Sequence, residues 1–211
     1  MGLALDHLVV AASELEQGRA ALAARLGVPL QAGGRHAAMG THNALLGLGG
    51  ETYLELIAID PQAPAPGRAR WFGLDRPGLQ AELAHGPRLL HWVARCDDLE
   101  AALARCPWPA GEILAMERGA YRWRIAVPVD GGLPLGGVAP TLLEWRGAQP
   151  AAALARSGCA LHRLELRHPD AAWLRGVLRE LGLQGPVDLV EASGAALVAE
   201  LETPRGRVRL A

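Results

Sequence analysis

Three segments of the chain repeat one pattern, and that repetition restricts the fold more than anything else in the sequence. From Leu5 the pattern reads LDHLVVAASELEQGRAALAARLG, from Leu89 LLHWVARCDDLEAALARC, and from Ala160 ALHRLELRHPDAAWLRGVLRELG. Each copy opens with a short apolar strand whose third residue is a histidine: His7, His91 and His162. Each then runs into apolar residues spaced three and four apart, the mark of an amphipathic helix. The helix start falls six residues after the histidine, at Ser13, Asp97 and His168. Ser13–Glu16 and Asp97–Glu100 read as capping boxes, and His168-Pro169-Asp170 as a turn into the third helix.

Strand-like segments bounded by turn residues follow each helix. They fall near 35–39, 43–48 and 52–59 in the first copy, 112–117, 121–127 and 141–146 in the second, and 187–191, 195–202 and 207–210 in the third. The chain therefore reads as an α+β protein of repeated βαβββ modules, over 1–60, 89–147 and 158–211. One such module has a curved sheet face that it cannot bury alone. Modules one and two are expected to close a cupped barrel, with module three appended. The third has no internal partner, which predicts a homodimer formed through it. The Pro/Gly-rich connector at 61–88 carries Trp71, Phe72 and Leu74 and is expected to pack on the body.

Composition excludes several chemistries. All 21 basic residues are arginine, so there is no lysine for a Schiff base or a P-loop. The serines, at 13, 157 and 193, lie in no Gly-x-Ser-x-Gly elbow. A net charge of −1 offers no footprint for nucleic acid or an anionic membrane. Cys96, Cys106 and Cys159 form no CxxC pair and read as buried thiols of a reducing compartment. No apolar run reaches the roughly 20 residues of a membrane span, and the N-terminus lacks the basic region of a signal peptide. A cytoplasmic protein with a small-molecule partner is the expectation.

Simple alternation puts Leu5, His7 and Val9 on one face of the first strand, and Tyr53, Glu55, Ile57 and Ile59 on one face of the fourth. It puts Glu144 with Leu142 and Arg146 in TLLEWRG. GGRHAAMGTHN at 33–43 adds His36, His42 and Asn43 as polar groups on an otherwise apolar wall. Arg122 and Arg124 flank Trp123 on a second-module strand, where they would meet a ligand carboxylate or phosphate or else face solvent.

With LDHLVVAA, GGRHAAMGTHNALLGLG, YLELIAIDP and PGRARWFGLDRPG, the chain resembles the glyoxalase-like domain branch of the vicinal oxygen chelate superfamily. The resemblance implies a divalent metal (Zn, Ni, Mn or Fe) held by His7, Glu55, His91 and Glu144, with Glu144 doubling as general base. It implies a lyase, isomerase or dioxygenase acting on a small substrate with two adjacent oxygens, and His36, His42, Asn43, Arg122, Arg124 and Trp123 as substrate contacts. The residues admit a second reading, in which the histidines are satisfied in a core, the glutamates pair with arginines, and the barrel binds a planar or apolar molecule without metal. His162 has no glutamate on its last strand and reads as structural.

Overall fold

The computed structural model describes residues 2–211. Eight strands form one curled sheet: β1 (Ala4–Ala11), β2 (Gln31–His36), β3 (Thr41–Gly47), β4 (Tyr53–Ile59), β5 (Arg88–Arg95), β6 (Glu112–Arg118), β7 (Tyr121–Val127) and β8 (Thr141–Trp145). Their order is β2-β3-β4-β1-β5-β8-β7-β6. The halves repeat each other. Strands β1 and β4 pair in parallel, as do β5 and β8, and the halves join where β1 and β5 run antiparallel. Parallel neighbours need a crossover, supplied by helix α1 (Leu15–Leu26) in the first half; the short helix α2 (Leu79–Leu83) belongs to the connector, and α3 (Leu99–Ala104) serves the second half.

The two faces of this sheet feed two cores. The outer face packs Leu8, Val10, Leu54, Leu56, Trp92 and Leu142 against Leu22 and Leu26 of α1 and Leu99 of α3. The inner face gathers Val9, Ile57, Val93, Trp123, Ile125 and Leu143 under Trp71, Phe72, Leu74, Leu79 and Leu83 of the connector. The capping boxes do not form as expected. Helix α1 follows Glu14 with no side-chain cap, and in α3 the cap is Asp98, which accepts from Ala101 N.

Alternation breaks in β1. Leu5 pairs with Ala94 but His7 with Val93, so Asp6 is an extra residue in a β-bulge. Leu5 consequently joins Leu8 and Val10 in the outer core, while His7 and Val9 face inward. The expectation that Leu5 shares their face is corrected. A matching bulge occurs in β5, where Val9 pairs with His91 and Val10 with Leu89, leaving Leu90 extra.

Beyond the short helix α4 (Pro150–Ala153), the third segment contributes β9 (Ala160–His168), α5 (Ala171–Glu180), β10 (Val187–Glu191), β11 (Ala196–Thr203) and β12 (Gly206–Leu210). They form a separate sheet in the order β10-β9-β11-β12. The elements come in β-α-β-β-β sequence, but β9 lies inside its sheet, parallel to β10 and antiparallel to β11. That pairing differs from the first two modules, whose opening strand ends its own four-strand set. Leu164, Leu166, Leu197, Ala199 and Leu201 merge with the outer core of the barrel. Backbone bonds from Leu3 N to Leu181 O, Leu5 N to Gln184 O and Gln184 N to Leu3 O tie the segment to β1. The apolar face that motivated a homodimer is thus covered within the chain. Among the described residues, no helix is long and apolar enough to cross a membrane.

Candidate functional site

The inner cup holds one cluster of charged groups. His7 Nδ1 donates to Asp6 Oδ1 at 2.6 Å, and its Nε2 lies 3.5 Å from Glu55 Oε2. The bulge makes the first contact possible by turning the residue beside His7 toward the same space. Burial alone would push the imidazole pKa down, but the bonds and charges of Asp6 and Glu55 prevail and raise it to about 9. Burial likewise pushes Glu55 up, yet His7, together with His36 and the Asn43 amide, holds it down to about 2. His7 is therefore an imidazolium between two carboxylates. Tyr53 stacks on its ring at 4.7 Å between centroids, and Trp145 Nε1 donates to Asp6 Oδ2 at 2.8 Å.

Arg118 joins this cluster across the seam where β2 approaches β6. Its Nη1 donates to His36 Nε2 and to Asn43 Oδ1, both at 3.0 Å. Asn43 Nδ2 donates to Glu55 Oε1 at 2.5 Å, and Asn43 Oδ1 also accepts from Gly34 N at 2.8 Å. With Nε2 accepting, His36 Nδ1 carries the proton and donates to Thr41 Oγ1 at 3.1 Å. Burial, reinforced by Arg118, lowers the His36 pKa to about 4 against the pull of Glu55, so this ring is neutral. The glycine pair has a spatial reason. A Cβ on Gly33 would sit 2.0 Å from Asn43 Oδ1, and one on Gly34 2.6 Å from Arg118 Cδ.

Trp71, Phe72, Trp123, Ile125, Leu143 and Trp145 close the cup over a void of about 30 Å³, room for one or two waters. Trp71 meets His36 edge-on at 5.0 Å, and Phe72 lies 5.7 Å from the His91 ring. Phe72 adopts φ 58°, a left-handed backbone that costs a bulky residue of order 1–3 kcal/mol.

The expected site residues separate into two sets. His7, Glu55, His36, Asn43 and Trp123 line the void. His91, Glu144, His42, Arg122 and Arg124 do not. His91 is wholly buried and satisfied, with Nδ1 donating to Gly137 O at 3.0 Å and Nε2 accepting from Thr141 N at 3.1 Å. Burial drives its pKa down to about 3. Glu144 points away, among the helices, where it accepts from Leu99 N at 3.1 Å and pairs with Arg124 and Arg146. The physical reason is register. Val9 pairs with Glu55 and the equivalent Val93 with Thr141, so Thr141, and not Glu144, occupies the place of Glu55 in the second half. Arg124 is engaged by Glu100 and Glu144, Arg122 is exposed beside Glu117, and His42 alternates out from Asn43. Asp6 and Arg118 belong to the site unforeseen, while Tyr53 reaches it from the face expected to carry Glu55 and Trp71 from the connector expected to pack on the body. Arg118 was readable, because Leu114, Met116 and Arg118 share one face of β6 and Met116 is core.

A divalent metal can be tested against these donors. His7 Nε2 and Glu55 Oε2 are the two atoms placed to share an ion, but the next nitrogen, His36 Nε2, already accepts from Arg118. Protein zinc sites use at least three protein ligands. Among the described residues, no group of three or more His, Cys, Asp and Glu side chains is arranged to hold a metal ion. The charges also balance unaided, Asp6 and Glu55 against His7 and Arg118. The residues present do not fit the metal.

Curled paired βαβββ halves enclosing a polar pole define the glyoxalase-type barrel. Residues 5–182 match the glyoxalase-like domain family. The chain belongs to that family, within the vicinal oxygen chelate superfamily. Among solved structures, it resembles a hypothetical protein from Staphylococcus aureus, with a TM-score of 0.64 and 13% identity over 92% of this chain and 88% of that one. It also matches methylmalonyl-CoA epimerase from Mycobacterium tuberculosis, with a TM-score of 0.42 and 21% identity over 72% and 91% of the respective chains. No curated protein sequence matches it.

Proposed function

We propose that this protein binds a small organic molecule in the inner cup and does so without a divalent metal. The observation carrying this reading is the donor set: His7 Nε2 and Glu55 Oε2 are the two atoms placed to share an ion, and the next nitrogen, His36 Nε2, is taken by Arg118. Arg118 and Asn43 supply donors for a ligand oxygen, and the aromatic walls supply contact for an apolar body. Glu55, the inward carboxylate of this void, is held near a pKa of about 2, which makes it a weak base and favours binding over proton abstraction. The cysteines Cys96, Cys106 and Cys159 are all unpaired, in keeping with the expected cytoplasmic setting.

A metal-dependent lyase, isomerase or dioxygenase is the second reading, favoured by one distance. The 3.5 Å between His7 Nε2 and Glu55 Oε2 suits two ligands of one ion. Elemental mass spectrometry after loading with Zn, Ni, Mn or Fe(II) and desalting separates the two. The proposal expects substoichiometric metal, unchanged in His7→Ala and Glu55→Ala. Near-stoichiometric metal lost in both variants and kept in Glu144→Ala would overturn it.

A further inference from the structure

We infer that the ligand of this cup carries a carboxylate, taken between the Arg118 guanidinium and the Trp71 indole, with a flat apolar body against the aromatic walls. The inference rests on the reading of the cup as a small-molecule site and adds the chemical class. Its first support is an orphaned donor. Trp71 is 3% exposed and lines the void, yet its indole N–H has no hydrogen-bond partner. Buried indoles normally find one, as Trp92 does on Val138 O and Trp145 on Asp6; the Trp108 N–H is unpaired too, but of these two unpaired indoles it is Trp71 that lines the void.

The second support is the unused part of Arg118. Among the described residues only its Nη1 makes hydrogen bonds, to His36 and Asn43, while the guanidinium carbon lies 5.9 Å from the Tyr121 ring centroid. The remaining edge of a planar guanidinium matches the two oxygens of a carboxylate. Charge does not stand in the way. Asp6 and Glu55 are balanced by His7 and Arg118, so an entering carboxylate meets a cluster that is neutral overall. A cationic ligand would meet Arg118 and the imidazolium at close range, and an apolar one would leave the indole N–H unsatisfied.

A void of about 30 Å³ admits a carboxylate oxygen but no ring. Binding therefore displaces the Trp71–Phe72 segment, which carries the left-handed Phe72. Tryptophan emission reports that displacement. The test titrates the protein with 3-phenylpropanoate and with the isosteric, uncharged 3-phenylpropanamide, read by emission and by calorimetry. The acid is expected to bind at least about tenfold tighter than the amide, because bonds to charged groups are the stronger ones. Trp71→Phe keeps the aromatic wall and removes the N–H; it reduces the acid's advantage over the amide, because the bond lost to a carboxylate is the stronger one. Arg118→Gln abolishes that advantage, and Arg118→Lys retains part of it.

Equal binding of acid and amide, each with an emission change, would overturn the carboxylate while leaving the cup as a binding site. So would an acid preference that survives Arg118→Gln in a protein shown folded by circular dichroism. No response to either probe up to its solubility would overturn both the class and the cup. Should Arg118→Gln fail to fold, the acid–amide comparison and Trp71→Phe decide alone.

Discussion

Replacing Glu55 by glutamine isolates the charge on one side of His7 while keeping the shape of the side chain and an oxygen for Asn43. Glu55 Oε2 lies 3.5 Å from His7 Nε2, so at an effective dielectric near 20 their attraction is about 5 kcal/mol. The cost of burying the carboxylate offsets more than half of that, leaving a net loss of about 2 kcal/mol in the variant, less than for a pair with no second partner, because Asp6 remains on Nδ1. Losing that charge also lowers the His7 pKa from about 9, because Glu55 is one of the two carboxylates that raise it.

The pH dependence has a definite sign. The folded pKa of His7 is raised above its ordinary 6.5, so its stabilisation is full below pH 6.5 and disappears as pH rises through about 9. The folded pKa of Glu55 is depressed below 4.5, so its stabilisation is full above pH 4.5 and is lost as pH falls through about 2. The stability difference between wild type and Glu55→Gln should therefore be flat from pH 4.5 to 6.5 and shrink toward zero above pH 9. Urea denaturation across that range measures it, and NMR titration of the His7 ring gives the pKa directly. A difference unchanged from pH 5 to 10 would refute the ion pair and reassign the effect to packing. A wild-type His7 titrating near 6.5 would do the same.

Gly33→Ala would drive a methyl into Asn43 Oδ1; we expect a loss of about 2 kcal/mol in urea melts, and weaker ligand binding as the Asn43–Glu55 bond is displaced. Glu144→Gln keeps an acceptor for Leu99 N but loses its charge against Arg124 and Arg146, costing about 1 kcal/mol; the His7 titration should not move, and a shift of a full unit would mean that Glu144 reaches the cup after all. His91 is depressed to about 3, so its contribution is full above pH 6.5 and is lost as pH falls toward 3. His91→Asn should flatten its share of the stability decline between pH 6.5 and 4.5, measured by urea titrations at several pH values.

The repeat made the paired halves readable because helix spacing and turn residues are local signals, and Tyr121–Val127 falls where the pattern put it. Pairing is not local. The third segment has the expected element order, yet nothing in Ala160–His168 tells whether that strand ends its sheet or lies inside it. Strand β8, TLLEW, is buried on both faces, so its run carries no alternation from which to orient Glu144. Only the register with β5 does that. The bulge at Asp6 is equally silent, since DHLVV reads as a strand whichever way Leu5 points. His7, Glu55, His36 and Asn43 lie together at the void; for Glu55 the strand itself gives the orientation, since Tyr53 and Ile57 two residues away on either side also face inward.

The matching bulges give the two halves corresponding triplets: Asp6, His7 and Glu55 in the first, Leu90, His91 and Thr141 in the second. Two copies of one module thus place a histidine at the same point and send it to opposite fates, charged near pKa 9 and neutral near pKa 3. Leucine for aspartate and threonine for glutamate turned one copy into a strut while the other kept a pole. The cup consequently has broken symmetry, with a head and a tail. A twofold-symmetric vessel would present a guest with the same surroundings either way round; in this one the charged pole stands at one end only.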